Sequence, residues 1–263
     1  MILDRFKLTD RVALVTGAGK GIGRGIALAF AEAGADVVAA ARTASDLEAT
    51  AEAVRERGRR AHVVPTDVTQ TEQLDRLVEE TLSAFGRLDL LVNNAGGTAP
   101  RAALETSEAY FESALRFNVT QAFLLTRRAV PAMVETAGGG AIVNISSRSS
   151  DMVQTSFVAY AAGKAALNMM TRNLAAEFAP KVRVNAISVG GVETEALASV
   201  LTHDAVRRQF EENTPMRRPG TVEDIAACAL YLASPAAGWV TGKIFQVDGG
   251  TERPAFSIPT PPL

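Results

Sequence analysis

Short apolar segments alternate with longer segments of helical periodicity along most of the chain. The apolar segments are rich in β-branched and aliphatic residues, and they predict seven strands: Val12–Thr16, Asp36–Ala41, His62–Pro65, Leu88–Val92, Ala141–Ile145, Val182–Ile187 and Ile244–Val247. Most of these segments are apolar at nearly every position. This pattern is typical of parallel strands that are covered by helices on both faces of the sheet.

The segments between the strands place apolar residues on one stripe of a helix. The clearest of them are Gly21–Ala33, Gln70–Phe85 and Tyr160–Phe178. The alternation of strands and helices predicts an α/β protein with a single-domain, Rossmann-like, doubly wound fold. No break in composition divides the 263 residues, so one domain is expected over residues 1–263.

The composition argues against nucleic-acid and membrane partners. Hydrophobic residues make up 47% of the chain, charged residues make up 21%, and the formal net charge is −2. These values describe a globular protein without the basic surface that nucleic acids require. The best candidate for a membrane segment, Ile26–Ala41, is interrupted by Glu32 and Asp36. The first ten residues are charged and do not resemble a signal peptide.

The cysteine and histidine content predicts no disulfide and no metal site. The single cysteine, Cys228, fits a reducing compartment, from which we expect a cytoplasmic location. The two histidines, His62 and His203, are far apart in the sequence and lack a neighbouring cysteine. A structural zinc site is therefore not expected.

A glycine-rich turn connects the first predicted strand to the first predicted helix. Such a turn lets backbone N–H groups approach a pyrophosphate, and the helix N-terminus adds a favourable dipole. A tight turn without a ligand is the alternative, but three glycines at 17, 21 and 23 exceed what such a turn needs. The residues expected to contact phosphate are Gly17, Gly19, Lys20, Gly21, Ile22 and Gly23.

The end of the second predicted strand indicates which dinucleotide would bind. NAD-binding folds of this type usually have a carboxylate there to bind the ribose hydroxyls, whereas this strand ends in Ala41 and Arg42. Arg42 and Lys20 could both bind a 2′-phosphate through charge-assisted hydrogen bonds. NADP(H) is therefore favoured over NAD(H), and the alternative is that both side chains are solvated surface charges.

Tyr160 and Lys164 are four residues apart in a predicted helix, so their side chains share one face. A free tyrosine has a pKa near 10, and a nearby positive charge lowers that pKa. Tyr160 would then be able to act as a general acid or base. Taken alone, this spacing is common on solvated helix faces.

Polar residues follow two of the predicted strands. Ser147 comes shortly after Ala141–Ile145, and Asn94–Gly96 follows Leu88–Val92. The carboxyl ends of parallel strands meet at the ligand crevice of such folds. We therefore expect Ser147 to donate to a substrate carbonyl oxygen, and we expect Asn94, Ala95 and Gly96 to contact the cofactor. The alternative for these last residues is a loop that needs turn formers.

Together these motifs resemble the short-chain dehydrogenase/reductase family over roughly Leu8 to Gly250, including members of the 3-oxoacyl-[acyl-carrier-protein] reductase and hydroxysteroid dehydrogenase types. The resemblance implies an NAD(P)-dependent oxidoreductase of ketones and secondary alcohols, with a seven-stranded, mainly parallel sheet. The matching motifs are the glycine-rich turn, Asn93–Gly96, Asn144–Ser147, Tyr160–Lys164 and Phe245–Gly250.

The resemblance also implies roles for individual residues. It implies that Tyr160 donates or accepts the proton, that Ser147 positions the carbonyl, and that Lys164 activates the phenol and binds the ribose. Asn118 matches the residue that holds a water molecule, which relays protons to the lysine. The pair Asp67–Val68 matches the residues that contact the adenine.

The loop after the sixth predicted strand departs from the family pattern. Val189 stands where the family usually has a proline, and this change restores a backbone N–H. Gly190–Gly191 follows and adds conformational freedom, so we expect a more mobile loop. Thr194 matches the residue that holds the nicotinamide carboxamide, and Gly190 and Val192 are also expected to contact the cofactor.

The substrate-binding residues are less sharply indicated. Segment 195–219 is expected to form a lid, and it mixes apolar side chains suited to a lipid-like or steroid-like ketone with arginines suited to an acyl thioester. A general ketone or secondary alcohol is the first substrate class, and a 3-oxoacyl thioester is the alternative. The residues expected to contact substrate are Ser147, Val153, Gln154, Gly191 and Leu197.

Two other functions are compatible with the same fold. A nucleotide-sensing protein without catalysis would be expected to lack part of the catalytic set, whereas here all four positions are filled. A nucleotide-sugar epimerase or dehydratase would use the same Tyr/Lys chemistry but resembles a longer chain. The family resemblance also implies a homotetramer built partly on Tyr160–Phe178 and on the final strand. The proline-rich tail, 253–263, either packs across a subunit boundary or is disordered.

Overall fold

The predicted strands form one parallel sheet in the described residues, which are 1–194, 197, 202 and 204–254 of this computed structural model. The strand order is β3-β2-β1-β4-β5-β6-β7, and every pair of neighbours is parallel. This sheet confirms the predicted Rossmann-like α/β class. The strands are β1 (Val12–Thr16), β2 (Asp36–Ala41), β3 (Ala61–Pro65), β4 (Leu90–Asn93), β5 (Gly140–Ser147), β6 (Val182–Val189) and β7 (Ile244–Val247).

Helices cover both faces of this sheet. The helix that contains Tyr160 spans Val158–Phe178. It begins two residues before the predicted start, so Tyr160 lies in its first turn. A π-helical turn, Arg116–Thr120, separates two of the helices, and a 3₁₀ turn, Arg148–Ser150, follows β5 directly. The α-helices are α1 (Gly21–Glu32), α2 (Ala44–Glu56), α3 (Thr71–Phe85), α4 (Glu108–Leu115), α5 (Gln121–Ala137), α6 (Val158–Phe178), α7 (Asp204–Asn213) and α8 (Val222–Ala233).

Two hydrophobic cores lie on opposite faces of the sheet. Successive side chains of a strand point to opposite faces. In β1, accordingly, Ala13 and Val15 pack in the core that includes Phe30, whereas Val12 and Leu14 pack in the core that includes Leu125 and Met133. Burial on both faces explains why the strand segments are apolar at nearly every position.

β5 and β6 both extend two residues beyond the predicted ends. In the structure Ser146 pairs with Ser188, and Ser147 pairs with Val189, so the ladder continues past the serines. The prediction ended each strand just before its first serine, whereas backbone pairing does not depend on the side chain. As a consequence, Ser147 is the last residue of a central strand and has a fixed backbone.

β4 is shorter at its start than predicted, because it begins at Leu90 and not at Leu88. Asp89 stands between them with a buried carboxylate, which accepts a hydrogen bond from the Val12 N–H at 2.9 Å and pairs with Arg87 at 2.7 Å. The Asp89 carboxylate thus accepts a hydrogen bond from the first residue of β1, just before the backbone of β4 begins to pair with β1.

Two predicted segments lie partly outside the described residues. Within the predicted lid, 195–219, the structure describes residues 197, 202 and 204–219, which include α7. Of the proline-rich tail, 253–263, it describes residues 253 and 254.

Candidate active site

A crevice follows the carboxyl ends of the central strands. It consists of a cavity of about 470 Å³ that contains Tyr160, here called the Tyr160 half, and a cavity of about 280 Å³ that contains Arg42, here called the Arg42 half. Lys20, Asn94 and Gly96 line both cavities, so the two halves are continuous. One elongated ligand that reached from Arg42 to Tyr160 would fill this crevice.

Most of the expected cofactor residues line this crevice. The exception is Gly23, which lies behind the turn, where a Cβ atom would overlap the carbonyl oxygen of Gly17. The Tyr160 half includes Lys20, Gly21, Ile22, Asn94, Gly96, Lys164, Gly190, Val192 and Thr194. The Arg42 half includes Gly17, Gly19, Asp67, Val68 and Ala95.

The turn between β1 and α1 has the backbone form that an anionic ligand requires. Gly17 and Gly21 have φ values of 65° and 52°, in the left-handed region that favours glycine. The helix begins at Gly21, so its first N–H groups, which have no partner within the helix, lie at the crevice. A pyrophosphate fits this set of donors and the positive end of the helix dipole.

Asn94 fixes this turn against the neighbouring strand. Its side-chain amide donates to the carbonyl oxygens of Thr16 at 2.9 Å and Gly17 at 3.2 Å, and its backbone N–H donates to the Thr16 hydroxyl at 3.0 Å. The Asn94–Gly96 segment therefore holds the glycine-rich turn in place, and it also lines the crevice.

A carboxylate on α2 lines the Arg42 half. Asp46 lies in the first turn of α2, and its carboxylate is 3.8 Å from the Lys20 ammonium. We expected a cofactor-binding carboxylate only at the end of β2, so Asp46 is not among the predicted cofactor residues. Helix α2 instead brings Asp46 against Gly19, where a Cβ atom would lie 3.0 Å from the Asp46 Cβ.

Asp67 also contributes a negative charge to the Arg42 half. Its carboxylate accepts hydrogen bonds from the backbone N–H of Thr69 at 2.9 Å and from the Thr69 hydroxyl at 2.7 Å. These bonds are the main cause that lowers the pKa of Asp67, and the charge of Arg42 adds to the effect. Asp67 is thus held as an anion beside Arg42.

Tyr160 and Lys164 lie in the same half of the crevice but do not interact as expected. The Lys164 ammonium is 5.7 Å from the centre of the Tyr160 ring, and it donates to the carbonyl oxygen of Ile145 at 2.8 Å. Burial raises the pKa of Tyr160, and a hydrogen bond with Ser147 partly opposes that shift. The predicted lowering of the Tyr160 pKa by Lys164 is therefore wrong for this structure, because the long lysine side chain reaches β5 and not the phenol.

Lys164 is itself an unusual group because it is almost fully buried, with 4% of its surface exposed. Burial lowers its pKa to about 8. Its ammonium also lies close to Gly96, where a Cβ atom would be 3.0 Å from both the Lys164 Nζ and the Asn118 Oδ1. The absence of a side chain at Gly96 thus leaves room for the lysine at the crevice.

Asn118 lies in the π-helical turn between α4 and α5 and is buried. Its side chain exchanges two hydrogen bonds with Gly97, accepting from the N–H at 2.9 Å and donating to the carbonyl oxygen at 3.2 Å. It also donates to the Thr98 hydroxyl at 3.0 Å. In this structure the Asn118 side chain holds the loop after β4, and its role with water stays a prediction.

The loop after β6 is bonded on both sides. The Gly190 N–H donates to the Val247 carbonyl oxygen at 3.0 Å, and Glu193 and Gly191 exchange backbone hydrogen bonds with Gly220 at 2.9 Å each. A Cβ atom at Gly190 would lie 2.6 Å from the Asp248 Cα, and one at Gly191 would overlap the Phe210 ring. The glycines thus allow close packing, and these contacts weigh against the mobility expected from them.

Apart from Ser147, which lines the Tyr160 half, the expected substrate residues divide into two groups. Leu197 and the buried ring of Phe210 both pack against Gly191, next to the crevice. Val153, by contrast, has 87% of its surface exposed, and the Gln154 amide oxygen accepts a hydrogen bond from Ser149 at 2.8 Å. Sequence distance from Ser147 and Tyr160 did not indicate which of the intervening side chains point outward.

The described residues contain neither a metal site nor a membrane span. Among them, no group of three or more His, Cys, Asp or Glu side chains could hold a metal ion. No helix in this part of the chain has the length and apolar character needed to cross a membrane.

The sheet order and the glycine-rich turn define a Rossmann-like α/β protein, and comparison with known proteins identifies the family. A family model described as enoyl-(acyl carrier protein) reductase matches residues 17–252. An uncharacterized oxidoreductase of Mycobacterium tuberculosis is 49% identical over 263 residues, which is 100% of both chains. The chain belongs to the short-chain dehydrogenase/reductase family, and it is an oxidoreductase.

Relatives with a named substrate are also similar over nearly the whole chain. The 7α-hydroxysteroid dehydrogenase of Escherichia coli K12 is 38% identical over 248 residues, which cover 94% of this chain and 96% of that protein. A solved structure of a 7α-hydroxysteroid dehydrogenase complexed with NADH and 7-oxo glycochenodeoxycholic acid has a TM-score of 0.91 and 37% identity. That match covers 95% of this chain and 98% of the other chain.

Proposed function

We propose that this protein transfers a hydride between a nicotinamide dinucleotide and a ketone or secondary alcohol, with Tyr160 as the general acid and base. The observation that supports this proposal is the hydrogen bond between Tyr160 and Ser147 at the end of β5. Both residues line the cavity that also contains Lys164 and the start of α1. The N–H groups of the turn and the Lys164 ammonium fit an anionic dinucleotide with ribose hydroxyls.

The bound nicotinamide supplies or accepts the hydride. In the reductive direction, Tyr160 gives its phenolic proton to the substrate oxygen, and Ser147 donates a hydrogen bond to the same oxygen as negative charge develops there. Because burial raises the pKa of Tyr160, the phenol holds its proton at neutral pH and is ready to act as the acid. We assign ribose binding to Lys164, whose ammonium donates to the Ile145 carbonyl oxygen and lines the same cavity.

The direct test is the Tyr160→Phe variant, which removes only the phenolic oxygen. We expect a loss of turnover of about 100- to 10,000-fold, with cofactor affinity nearly unchanged, as measured by steady-state kinetics and by calorimetric titration. The matched control is Tyr231→Phe on α8, because Tyr231 packs against Phe6 and Phe245 and not in the crevice. Retained turnover in Tyr160→Phe would contradict the proposal, and cofactor binding without turnover in the unmodified protein would favour the nucleotide-sensing alternative.

We propose NADP(H) as the preferred cofactor, since β2 ends without a carboxylate and Arg42 and Lys20 line the Arg42 half. Asp46 opposes this preference because it lies beside Lys20. Calorimetric titration with NADPH and NADH measures the balance directly. Tighter binding of NADPH is the expected result, and equal or tighter binding of NADH would contradict it.

For the substrate we propose a bulky, apolar secondary alcohol or its ketone, of the hydroxysteroid type that the Escherichia coli relative is named for. The apolar packing of Leu197 and Phe210 against Gly191, next to the crevice, supports this class. A panel of hydroxysteroids, simple secondary alcohols and 3-oxoacyl thioesters tests it. Higher kcat/KM on the thioesters than on the steroids would replace the first substrate class with the alternative.

We also propose a homotetramer. Large apolar side chains are exposed on two helices of one face, namely Phe123 and Val134 on α5 and Val158 and Met169 on α6, and Trp239 is fully exposed just before β7. Light scattering on the purified protein should give four times the chain mass of 27.7 kDa. A monomeric mass would contradict the proposal. The cytoplasmic location stays a prediction.

A further inference from the structure

Arg148 is a buried arginine that the proposed reaction does not use. It directly follows Ser147, and only 6% of its surface is exposed. Burying a guanidinium is costly unless its charge is paired and its N–H groups are bonded. The contacts of the Arg148 side chain therefore indicate which segments of the fold it holds together.

The guanidinium of Arg148 binds the segment that follows β7. Its Nε forms an ion pair with an oxygen of Asp248 at 2.7 Å, without the alignment of a hydrogen bond, and its Nη2 donates to the Thr251 carbonyl oxygen at 3.1 Å. Its Nη1 lies 2.8 Å from an oxygen of Asp151, which also accepts a hydrogen bond from Gln246 at 3.0 Å. The planar group, with several donors in fixed directions, bridges the ends of β5 and β7 in a way that a lysine cannot reproduce.

Asp248, the partner of Arg148, also contacts the loop after β6. Its side chain is 10% exposed, and its backbone packs so closely on Gly190 that a Cβ atom there would be 2.6 Å from the Asp248 Cα. Gly190 lines the Tyr160 half of the crevice. The contacts thus run from Ser147 through Arg148 and Asp248 to the loop on the opposite side of the reaction cavity.

The turn after Ser147 is held at each of its other residues as well. The Ser149 hydroxyl donates to Gln154 at 2.8 Å, and the Ser150 hydroxyl accepts from Asn168 of α6 at 2.8 Å. The Ser147 hydroxyl in turn accepts a hydrogen bond from the Ser149 N–H at 3.2 Å. Among these side-chain contacts, those of Arg148 reach the loop after β6, through Asp248.

We propose that Arg148 is a positioning residue that, through Asp248, sets the distance between the Ser147 hydroxyl and the Gly190–Thr194 loop. This inference rests on the proposed role of Ser147 in binding the substrate oxygen. Misplacement of a catalytic group by about 1 Å can cost on the order of 100-fold in rate. Arg148 therefore acts on turnover through Ser147, without touching the reacting atoms.

The test compares Arg148→Met in two backgrounds, the unmodified protein and the Ser147→Ala variant. We expect Arg148→Met to lower kcat about 10- to 100-fold in the first background. In the second background, where no Ser147 hydroxyl remains to be positioned, it should lower kcat less than about threefold. An equal loss in both backgrounds, or no loss in the first, would overturn the inference.

Two further variants separate positioning from stability. Asp248→Asn keeps the shape of the side chain but removes its charge, so it should reproduce part of the kcat loss in a folded protein, and a fully active Asp248→Asn variant would count against the inference. The matched control is Arg183→Met, because Arg183 is a partly buried arginine near the start of β6, away from the crevice, and it donates to the carbonyl oxygens of Val240 and Ser234. It should lower the Tm while kcat stays within about twofold.

The outcomes also separate this inference from the proposed function. If Ser147→Ala alone retains full activity, the proposed role of Ser147 fails, and the inference fails with it. If Ser147→Ala loses activity while Arg148→Met retains it, only the inference fails. Cofactor titration of each variant shows whether a loss arises in turnover or in dinucleotide binding.

Discussion

The two halves of the crevice carry their charges in different ways. In the Arg42 half, the charged side chains reach solvent, and carboxylates accompany the cations: Lys20 is 54% exposed and lies near Asp46, and Arg42 is exposed beside Asp67. In the Tyr160 half, Lys164 is 4% exposed, and nearby Arg148 is 6% exposed. The same crevice thus contains screened charges at one end and buried charges at the other.

This difference separates two kinds of task. Exposed charges are weakened by water and salt, so they adjust the choice between similar ligands by modest amounts. Buried charges have few competing partners, so they fix the position and the protonation of neighbouring groups at a substantial cost in folding free energy. We expect changes in the Tyr160 half to have larger effects than changes in the Arg42 half.

The largest effect is expected for the pH dependence of stability at Lys164. The lysine pKa is about 8 in the folded protein and near 10.5 when the chain is unfolded, so the unfolded state binds the extra proton between these values. Stability of the unmodified protein should therefore rise with pH across this window. Lys164→Met, which has no charge to bury, should be more stable than the unmodified protein at pH 7. This difference in the free energy of unfolding should fall by on the order of 3 kcal/mol between pH 7 and pH 10.5.

Urea denaturation at a series of pH values measures this change. The matched control is Lys181→Met, because Lys181 is exposed, and its stability curve should run parallel to that of the unmodified protein. Parallel curves for Lys164→Met as well would show that burial does not lower the pKa of Lys164.

A smaller effect is expected for charge changes in the Arg42 half. Arg42→Ala should weaken NADPH binding about tenfold and NADH binding little, because only NADPH carries the 2′-phosphate. Asp46→Asn should strengthen NADPH binding about threefold, because it removes a negative charge beside Lys20. Calorimetric titration measures both changes, with Arg57→Ala as the control, since Arg57 pairs with Glu32 away from the crevice. Weaker binding of NADPH to Asp46→Asn would show that Asp46 binds the cofactor directly.

The smallest effect is expected from salt. Raising the salt concentration from about 0.05 M to about 0.5 M shortens the screening length severalfold, so the preference for NADPH over NADH should fall by about threefold. The kcat at saturating cofactor and substrate depends on the buried Tyr160 half, so it should change by less than about threefold. A turnover that fell more steeply than the cofactor preference would contradict the distinction between the two halves.

Local patterns predicted most of the fold and much of the crevice. The bounds of β1, β2 and β7 agree with the prediction, because apolar runs end there at turns. The glycine-rich turn was predictable for the same reason, since Gly17 and Gly21 follow the strand directly and need their own backbone conformations. Tyr160 and Lys164 were found together because helical spacing places them on one face.

The features that the sequence did not predict share a physical cause, because each depends on contacts between segments that are distant in the chain. Asp46 lines the Arg42 half because α2 packs against the glycine-rich turn, and no pattern near Asp46 reports that contact. The reach of Lys164 to Ile145 is set by the distance between α6 and β5. Val153 is exposed, and its place between Ser147 and Tyr160 in the sequence does not report that exposure.

The sequence by itself determined the class of fold, the family motifs and three residues expected to act in catalysis, Ser147, Tyr160 and Lys164, because each depends on spacing along one strand, turn or helix. Asn118 was indicated only by the resemblance to the family. The tertiary structure alone decided how the charges are arranged around them. It buried Lys164, placed Asp46 beside Lys20 and joined Arg148 to Asp248 across 100 residues of chain. Burial and ion pairing depend on the packing of distant segments, and that packing sets the pKa values and the distances on which the chemistry depends.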